Sequence, residues 1–502
     1  METPSREVFS KYTTAETFAK IKEYDSVAEM WANCLAEYAD TPAIEDDGNT
    51  YTFAQLESMA ASMRAVIAQT AAGQPIRVGI LSQNSAEFAA AFIAVTTLGC
   101  TAAILPPQLD DKTIYGCGMK FSLKLLLCQT ALSEKAKLFS SLAPAVDMTQ
   151  AAAGAEKLPA VEVSGEAGCA IMFTGGTTGR SKGALLSNRA VMQGVVNGCY
   201  GYRDVFGQRY MLVLPLSHVF GLIRNLLSSL YTGSTLFICK NNKDMFRDIA
   251  AFRPTILVLV PALAEMALTL SKKFRRNMLG DSMKYIICGA AAVAPYLVSE
   301  YAAMGITLFP GYGLTESANL VSGNPESAAK PESVGIMYPH QEYRIVDGEL
   351  WLKGANMMDA YIGEENETAW EDGWFKTGDL VRLDEEGFLY ITGRIKEIIV
   401  LSNGENISPA ELEARFNALP CIQDSQVFED VTADGRHILA LEVVPRATEL
   451  AGIEDSGAYV MQQLQQVNIA LQPYERVSRI EIRTSDFART PSMKIVRYKK
   501  CQ

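Results

Sequence analysis

The segment FTGGTTGRSKG, from Phe173 to Gly183, packs glycines, hydroxyl side chains and two cations into one short run. That composition suits a phosphate: glycine lets backbone N–H groups come close to an anion, threonine adds donors and lysine adds charge. The spacing is not that of a Walker loop, however. After four intervening residues Gly175 leads to Arg180 and Gly176 to Ser181, and Lys182 is followed by Gly183 rather than by a hydroxyl that would hold magnesium. Read alone, the run is equally a flexible loop without a ligand. Its context favours an anion, because the apolar strand CAIMFTG precedes it and a helical pattern follows, so its N–H groups are expected to face a ligand near a helix start.

Three further segments follow in order: FPGYGLTESA at Phe309 to Ala318, GWFKTGDL at Gly373 to Leu380, and GRIKEIIVLSNGENISPAELE at Gly393 to Glu413. A lysine-bearing segment, RTPSMKIVR, lies close to the C-terminal end. Singly, each has a bland reading. Glu316 is a glutamate at a helix start, Asp379 a turn aspartate before a strand, and Lys494 a solvated lysine in a basic tail with Lys499 and Lys500. Together, in order and spacing, they resemble the adenylate-forming superfamily of acyl-CoA synthetases, luciferases and nonribosomal adenylation domains, over essentially the whole chain.

The resemblance implies roles position by position. The loop Thr174, Gly175, Gly176, Thr177, Thr178, Gly179 and Lys182 grips the β- and γ-phosphates of ATP and leaves with pyrophosphate. Gly311, Tyr312 and Gly313 form the adenine wall, with Gly289 and Ala290 beside the nucleotide. Thr315 contacts phosphate, and Glu316 is the carboxylate associated with Mg2+. Asp379 holds the ribose hydroxyls, and Arg394 contacts ribose or phosphate. Lys396 is the hinge between a large domain, residues 1–395, that binds ATP and acid and a small mobile domain, residues 396–502. Lys494 sits at the reacting α-phosphate. Asn403 and Gly404 approach the coenzyme A channel. The chain departs from the family pattern at Met493, at Ala488-Arg489-Thr490, at Gly175 and at Ser181.

The implied chemistry has two steps. A carboxylate is a poor acyl donor because its leaving group is an oxide, so AMP is attached first with release of pyrophosphate. A thiol then attacks the acyl carbon and AMP departs. The segment PLSHVFGL places His218 where the resembling acyl- and aryl-CoA synthetases gate the acid pocket; read alone, a histidine among apolar residues is more often a core residue. Small residues in CGAAAVAP, Gly289 and Ala291 among them, leave room beside the acid, and the Gly393 segment looks most like the fatty acyl-CoA synthetase version. A fatty acid is the expected substrate, coenzyme A the expected acceptor, and ATP and Mg2+ the cofactors. The alternatives are a ligase that loads the phosphopantetheine of an acyl carrier protein, and a non-catalytic acyl or nucleotide sensor. Arg224, an oddity within LIRNLLSSL, reads as a helix-surface arginine ahead of a partner for a distal carboxylate.

The elements that must position these residues are legible in the apolar pattern. RVGILS, TAAILP, LKLLLCQ, CAIMFTG, YMLVLPL, STLFICK, TILVLVP and MKYIICG are buried strands mostly separated by helical stretches, which predicts an α/β fold of doubly wound sheets. Beyond about Val334 short strands with glycine turns predict a β-rich extension, and PAELEARFNAL opens a small C-terminal α+β domain with proline in its first turn. The alanine cluster near Ala151 reads as a surface loop. A formal charge of -12 argues against a nucleic-acid or anionic-membrane partner. Ten scattered cysteines without a CxxC pair argue for reduced thiols, and no apolar run is long enough to cross a bilayer, so the expected location is the cytoplasm. The sequence says nothing of oligomeric state.

Overall fold

Each apolar run from Arg77 onward forms a strand because it is buried on both faces, which suits parallel pairing under helices rather than an alternating, half-exposed ribbon. In the computed structural model, which describes residues 5–174, 182–363, 369–400, 406–432, 437–489 and 495–497, these runs build two large sheets. One has seven strands in the spatial order Ala360–Ile362, Lys182–Ser187, Gly168–Thr174, Thr101–Leu105, Arg77–Leu81, Leu125–Cys128 and Ala145–Asp147. The other has nine, with Arg209–Leu212, Ile256–Leu259, Tyr285–Cys288 and Thr307–Tyr312 among its parallel members. Alanine-rich helices fill the space between. The helix Ala86–Thr96 is buried at nearly every position, and its start is fixed by the Ser85 hydroxyl, which accepts from the Phe88 N–H. A single continuous apolar core spans both sheets.

The β-rich extension is a five-stranded sheet that includes Trp374–Leu383 and Leu389–Arg394. The C-terminal unit has its own core around Phe416, Leu441 and Leu464, with the helix Pro409–Asn417 starting on proline behind the Ser408 cap. The predicted α/β architecture, the extension and the small α+β unit are all present.

Two local expectations are corrected. The glycine-rich run is followed by the strand Lys182–Ser187, antiparallel to Gly168–Thr174 with Thr174 opposite Lys182, and only then by the helix Asn188–Asn197. The strands on either side of the segment are antiparallel neighbours, and the helix start lies a strand further on. The alanine cluster is the short helix Met148–Ala152, with Met148 and Ala151 buried, and not a surface loop; small side chains let it pack on the helix Phe53–Ala71.

Candidate active site

Parallel strands leave a crevice beyond their carboxyl ends, the usual ligand position in such sheets. Tyr285–Cys288 and Thr307–Tyr312 run side by side, with Cys288 opposite Pro310, so Gly289 and the pair Gly311 and Tyr312 emerge together at that edge. His218 lies beyond the end of the parallel neighbour Arg209–Leu212. Close backbone approach requires glycine at Gly313 and leaves little room at Gly289. A Cβ on Gly313 would lie 1.4 Å from the Asn319 carbonyl oxygen, and one on Gly289 would lie 3.1 Å from the Gly311 carbonyl oxygen. Ala290 has φ +66°, a left-handed conformation in which a Cβ is disfavoured, so the backbone beside Gly289 is held in its turn at some cost.

One corner of the crevice is joined across two sheets. The Tyr312 hydroxyl donates to Asp379 Oδ2 at 2.6 Å, and Arg394 Nε donates to Asp379 Oδ1 at 2.5 Å. Asp379 and Arg394 face each other in register on adjacent antiparallel strands. The TGD turn is fixed from below: the Asp379 N–H donates to Thr377 Oγ1 at 3.0 Å, and the Gly378 N–H to Glu349 Oε1 at 2.8 Å. Asp379 is only 3% exposed. A carboxylate has about four lone-pair sites, so two remain for the paired hydroxyls of a ribose. Burial, and then the Asp379 charge, push the Tyr312 phenol well above its ordinary range, so it stays a donor.

A second chain of contacts links Lys182 to Glu316. The Lys182 Nζ sits 4.7 Å from the centre of the Tyr361 ring, and the Tyr361 hydroxyl donates to Glu316 Oε1 at 2.6 Å. Burial first, and Glu316 second, push the Tyr361 phenol upward. Tyr361 belongs to Ala360–Ile362, the edge strand paired with Lys182–Ser187, so that strand and the glutamate are coupled through it. Glu316 and Thr315 lie in the short 3-10 turn Thr315–Ser317, and the Glu316 carbonyl accepts the Met358 N–H at 2.7 Å. Since Tyr312 and Glu316 are four positions apart, their Cα atoms are within about 14 Å, one nucleotide-sized site. No sequence motif flags Tyr361; its only signal is a strand-like AYI beside a glycine.

His218 is partly exposed, and its Nδ1 accepts the Phe220 N–H at 3.2 Å, so the neutral ring carries its proton on Nε2. This places it at the mouth of the helix Phe220–Leu227, a π-helix, rather than in the core. The Phe220 Cζ is 3.6 Å from where a Gly289 Cβ would stand, which brings the histidine segment and the small-residue segment together. Ala291 is exposed, at the outer side of that turn. Arg224 corrects an expectation. It is not on a helix surface; it is 0% exposed, because all eight positions of FGLIRNLL are buried and the helix is enclosed all round.

Lys396 lies exposed in the turn Ile395–Glu397, directly after the strand that ends at Arg394. Gly175, Gly176, Thr177, Thr178, Gly179, Asn403, Gly404 and Lys494 lie outside the described residues. The flanks of the Lys494 segment are anchored: Arg489 pairs with Ile495 across the segment and donates to Asp424 at 2.5 Å. Arg497 donates to both oxygens of Glu413, at 2.7 and 2.5 Å, and lies 3.2 Å from Glu397 in the turn Ile395–Glu397. The C-terminal unit also touches the large one, since Arg446 donates to Glu265 at 2.9 Å and stacks 4.0 Å from the Tyr296 ring centre. Neither the Arg497 clasp nor the Arg446 contact was foreshadowed by a motif.

A protein-family model for AMP-binding enzymes matches residues 31–362, and one for the AMP-binding enzyme C-terminal domain matches residues 396–502. The chain is 28% identical to 4-coumarate–CoA ligase-like 6 of Arabidopsis thaliana, over 94% of this chain and 89% of that one. It is also 28% identical to a long-chain-fatty-acid–CoA ligase of Mycobacterium bovis, over 65% of this chain and 66% of the relative. Among solved structures, o-succinylbenzoate CoA synthetase of Bacillus subtilis, in complex with its acyl-adenylate intermediate, aligns with a TM-score of 0.77 at 25% identity, covering 93% of this chain and 96% of the other. Motif order, paired sheets and C-terminal unit agree with these matches, and the chain belongs to the AMP-binding enzyme family, the adenylate-forming superfamily.

Proposed function

We propose that the protein is an ATP-dependent, AMP-forming acid–CoA ligase acting on a fatty acid. The observation that carries this reading is the Asp379 corner, in which Arg394 and Tyr312, itself four residues before the phosphate-side Glu316, hold the carboxylate ready for a ribose. The CoA ligases among its relatives support the reaction, and the Mycobacterium bovis relative named for long-chain fatty acids supports the substrate.

The first step is in-line attack of the acid carboxylate on the α-phosphorus of ATP, forming acyl-AMP and releasing pyrophosphate. The segment between Thr174 and Lys182 holds the departing pyrophosphate. Glu316 fits Mg2+, since it is a hard oxygen donor fixed by Tyr361, and magnesium takes one or two carboxylates with substrate phosphates and water. The metal supplies charge neutralisation at the phosphates. Lys494 offsets charge at the α-phosphorus. His218, whose Nδ1 accepts the Phe220 N–H, orients the acid carboxylate at the mouth of the acyl pocket. In the second step residues 396–502 turn about Lys396 and bring Asn403 and Gly404 toward the thiol of coenzyme A, which attacks the acyl carbon and releases AMP. A carrier-protein thiol changes only the acceptor. The sensor reading is disfavoured because Glu316, Asp379, Arg394 and Lys494 are all retained, and binding alone has no use for the last.

Release of AMP measured over a panel of fatty and aryl acids, with coenzyme A or a phosphopantetheinyl carrier protein as acceptor, tests the reading. AMP release that requires coenzyme A and is fastest with fatty acids is expected, and release that ignores coenzyme A but needs the carrier would overturn the acceptor. Lys494→Ala should lower pyrophosphate exchange by roughly 10²–10³-fold, as loss of one well-placed electrostatic group does, while thiolysis of supplied acyl-AMP survives. Undiminished exchange would remove Lys494 from the first step.

A further inference from the structure

Arg224 is completely buried, yet none of its nitrogens Nε, Nη1 and Nη2 has a hydrogen-bond partner among the described residues. A guanidinium cannot shed its proton in a protein, so it carries five donors and a full charge into the interior. Burying such a group unpaired is strongly unfavourable, and natural structures pair it. Its surroundings offer no anion. The Tyr202 ring centre lies 5.1 Å from the guanidinium carbon, and the other groups that it feels are Tyr210 and Cys199. Burial pushes both the Tyr210 phenol and the Cys199 thiol up to about 12, so each is neutral near pH 7. The Tyr210 hydroxyl is itself buried without a partner. The Arg224 guanidinium and the Tyr210 hydroxyl are thus neighbours that both lack a geometrically sound hydrogen bond, and no carboxylate is among the groups acting on Arg224, so an anion would complete both. The aromatic face of Tyr202 softens the cost of the charge without satisfying its N–H groups.

The position of this site fixes which anion. Arg224 is the fifth residue of the helix Phe220–Leu227, which starts two positions after His218, so the two Cα atoms are at most about 13 Å apart. Tyr202, against which Arg224 lies, contacts Phe309 at 4.6 Å between ring centres. Phe309 is three positions before Tyr312 on one strand, about 10 Å from it. From two independent elements, then, Arg224 stands roughly one short alkyl chain behind the point where an acid is adenylated.

We propose that Arg224, with the Tyr210 hydroxyl, binds a second carboxylate at the far end of the acid, so that the substrate is a dicarboxylic fatty acid rather than a methyl-terminated one. The proposal rests on the acid–CoA ligase reading and narrows its substrate class. The far carboxylate would accept two N–H bonds from the guanidinium in the planar geometry that Arg offers, while the near carboxylate attacks ATP. A methyl-terminated chain of the same length leaves those donors unpaired, and a site built for a polar end rejects the analogue lacking it.

The test compares AMP release by the full-length protein, with ATP, Mg2+ and coenzyme A, on adipate, suberate and sebacate against hexanoate, octanoate and decanoate. For the best diacid, kcat/KM is expected to exceed that of its methyl-ended counterpart by at least 100-fold, and Arg224→Met should collapse that ratio, mainly through KM for the diacid. Arg224→Lys should restore part of it. Equal rates on both series by the wild type, a preference for aryl monoacids, or an Arg224→Met variant that lowers both series alike would overturn the proposal. If no acid of any kind releases AMP, the ligase reading has failed, and Arg224 is then judged by melting without ATP. A diacid that raises Tm of the wild type but not of Arg224→Met supports the site; no shift with any of the diacids rejects it.

Discussion

Arg64 and Arg224 are both 0% exposed, and the protein treats them in opposite ways. Arg64 is satisfied on every side: Nε donates to the Leu158 carbonyl at 2.7 Å, Nη1 to Thr97 at 2.9 Å, and Nη2 to Glu57. It braces the helix Phe53–Ala71 against the chain that follows the Met148–Ala152 helix. Arg224 makes none of these bonds. Arg394 falls between the two, paired with Asp379 yet with its side chain 44% exposed. Burial alone therefore does not identify a functional arginine. What distinguishes one is whether the fold or a ligand completes its donors.

Substitution at the two enclosed arginines should give the largest contrast. Arg64→Met breaks a completed network and leaves buried acceptors bare, which is expected to cost about 3 kcal/mol in a urea titration. Arg224→Met replaces an unpaired charge by an apolar chain and should leave the midpoint of the acid-free protein unchanged or raise it. If both variants are equally destabilised, Arg224 has partners in solution and the contrast dissolves. Asp379→Ala comes next. It removes a charged acceptor from both Tyr312 and Arg394, and should weaken ATP by about 2 kcal/mol, near 30-fold in KM for ATP, with KM for the acid little changed. An equal rise in both KM values would mean that the corner is only structural. Tyr361→Phe keeps the ring beneath Lys182 and removes the hydrogen bond to Glu316, so about 1 kcal/mol, roughly fivefold in the adenylation rate, is expected. No change in the rate of pyrophosphate formation would disconnect Tyr361 from Glu316. Smallest of all is Lys272→Ala, which removes half-exposed bridges to Glu300 at 3.0 Å and Glu449 at 3.1 Å and should shift stability by less than about 1 kcal/mol. A larger loss would show that the contact between the two units matters more than its exposure suggests.

Much of the fold was legible because buried parallel strands write themselves as unbroken apolar runs, as TILVLVP and MKYIICG do. The segments that carry Tyr312, Glu316, Asp379 and Arg394 were legible through their distinctive order, and the structure joins Tyr312 and Arg394 to Asp379. Other features depend on distance in space. Tyr361 is joined to Glu316 across 45 positions, and Arg497 to Glu413 across 84, so no local window contains either pair. The stretch from Lys182 was misread because a strand of six residues, KGALLS, carries too few positions to separate a two-residue from a helical period. Arg224 was misplaced for a different reason. A lone arginine usually reports solvent, and only the enclosing neighbours on every side of FGLIRNLL reveal that none is available.

Acid-dependent exchange of labelled pyrophosphate into ATP, in the absence of any thiol, tests adenylation most directly, because it reads reversal of the first step alone. The expected result is incorporation of label that requires both the acid and Mg2+, with AMP as the nucleotide product once coenzyme A is added. Formation of ADP and phosphate, or exchange that proceeds equally without acid, would contradict an AMP-forming acid ligase.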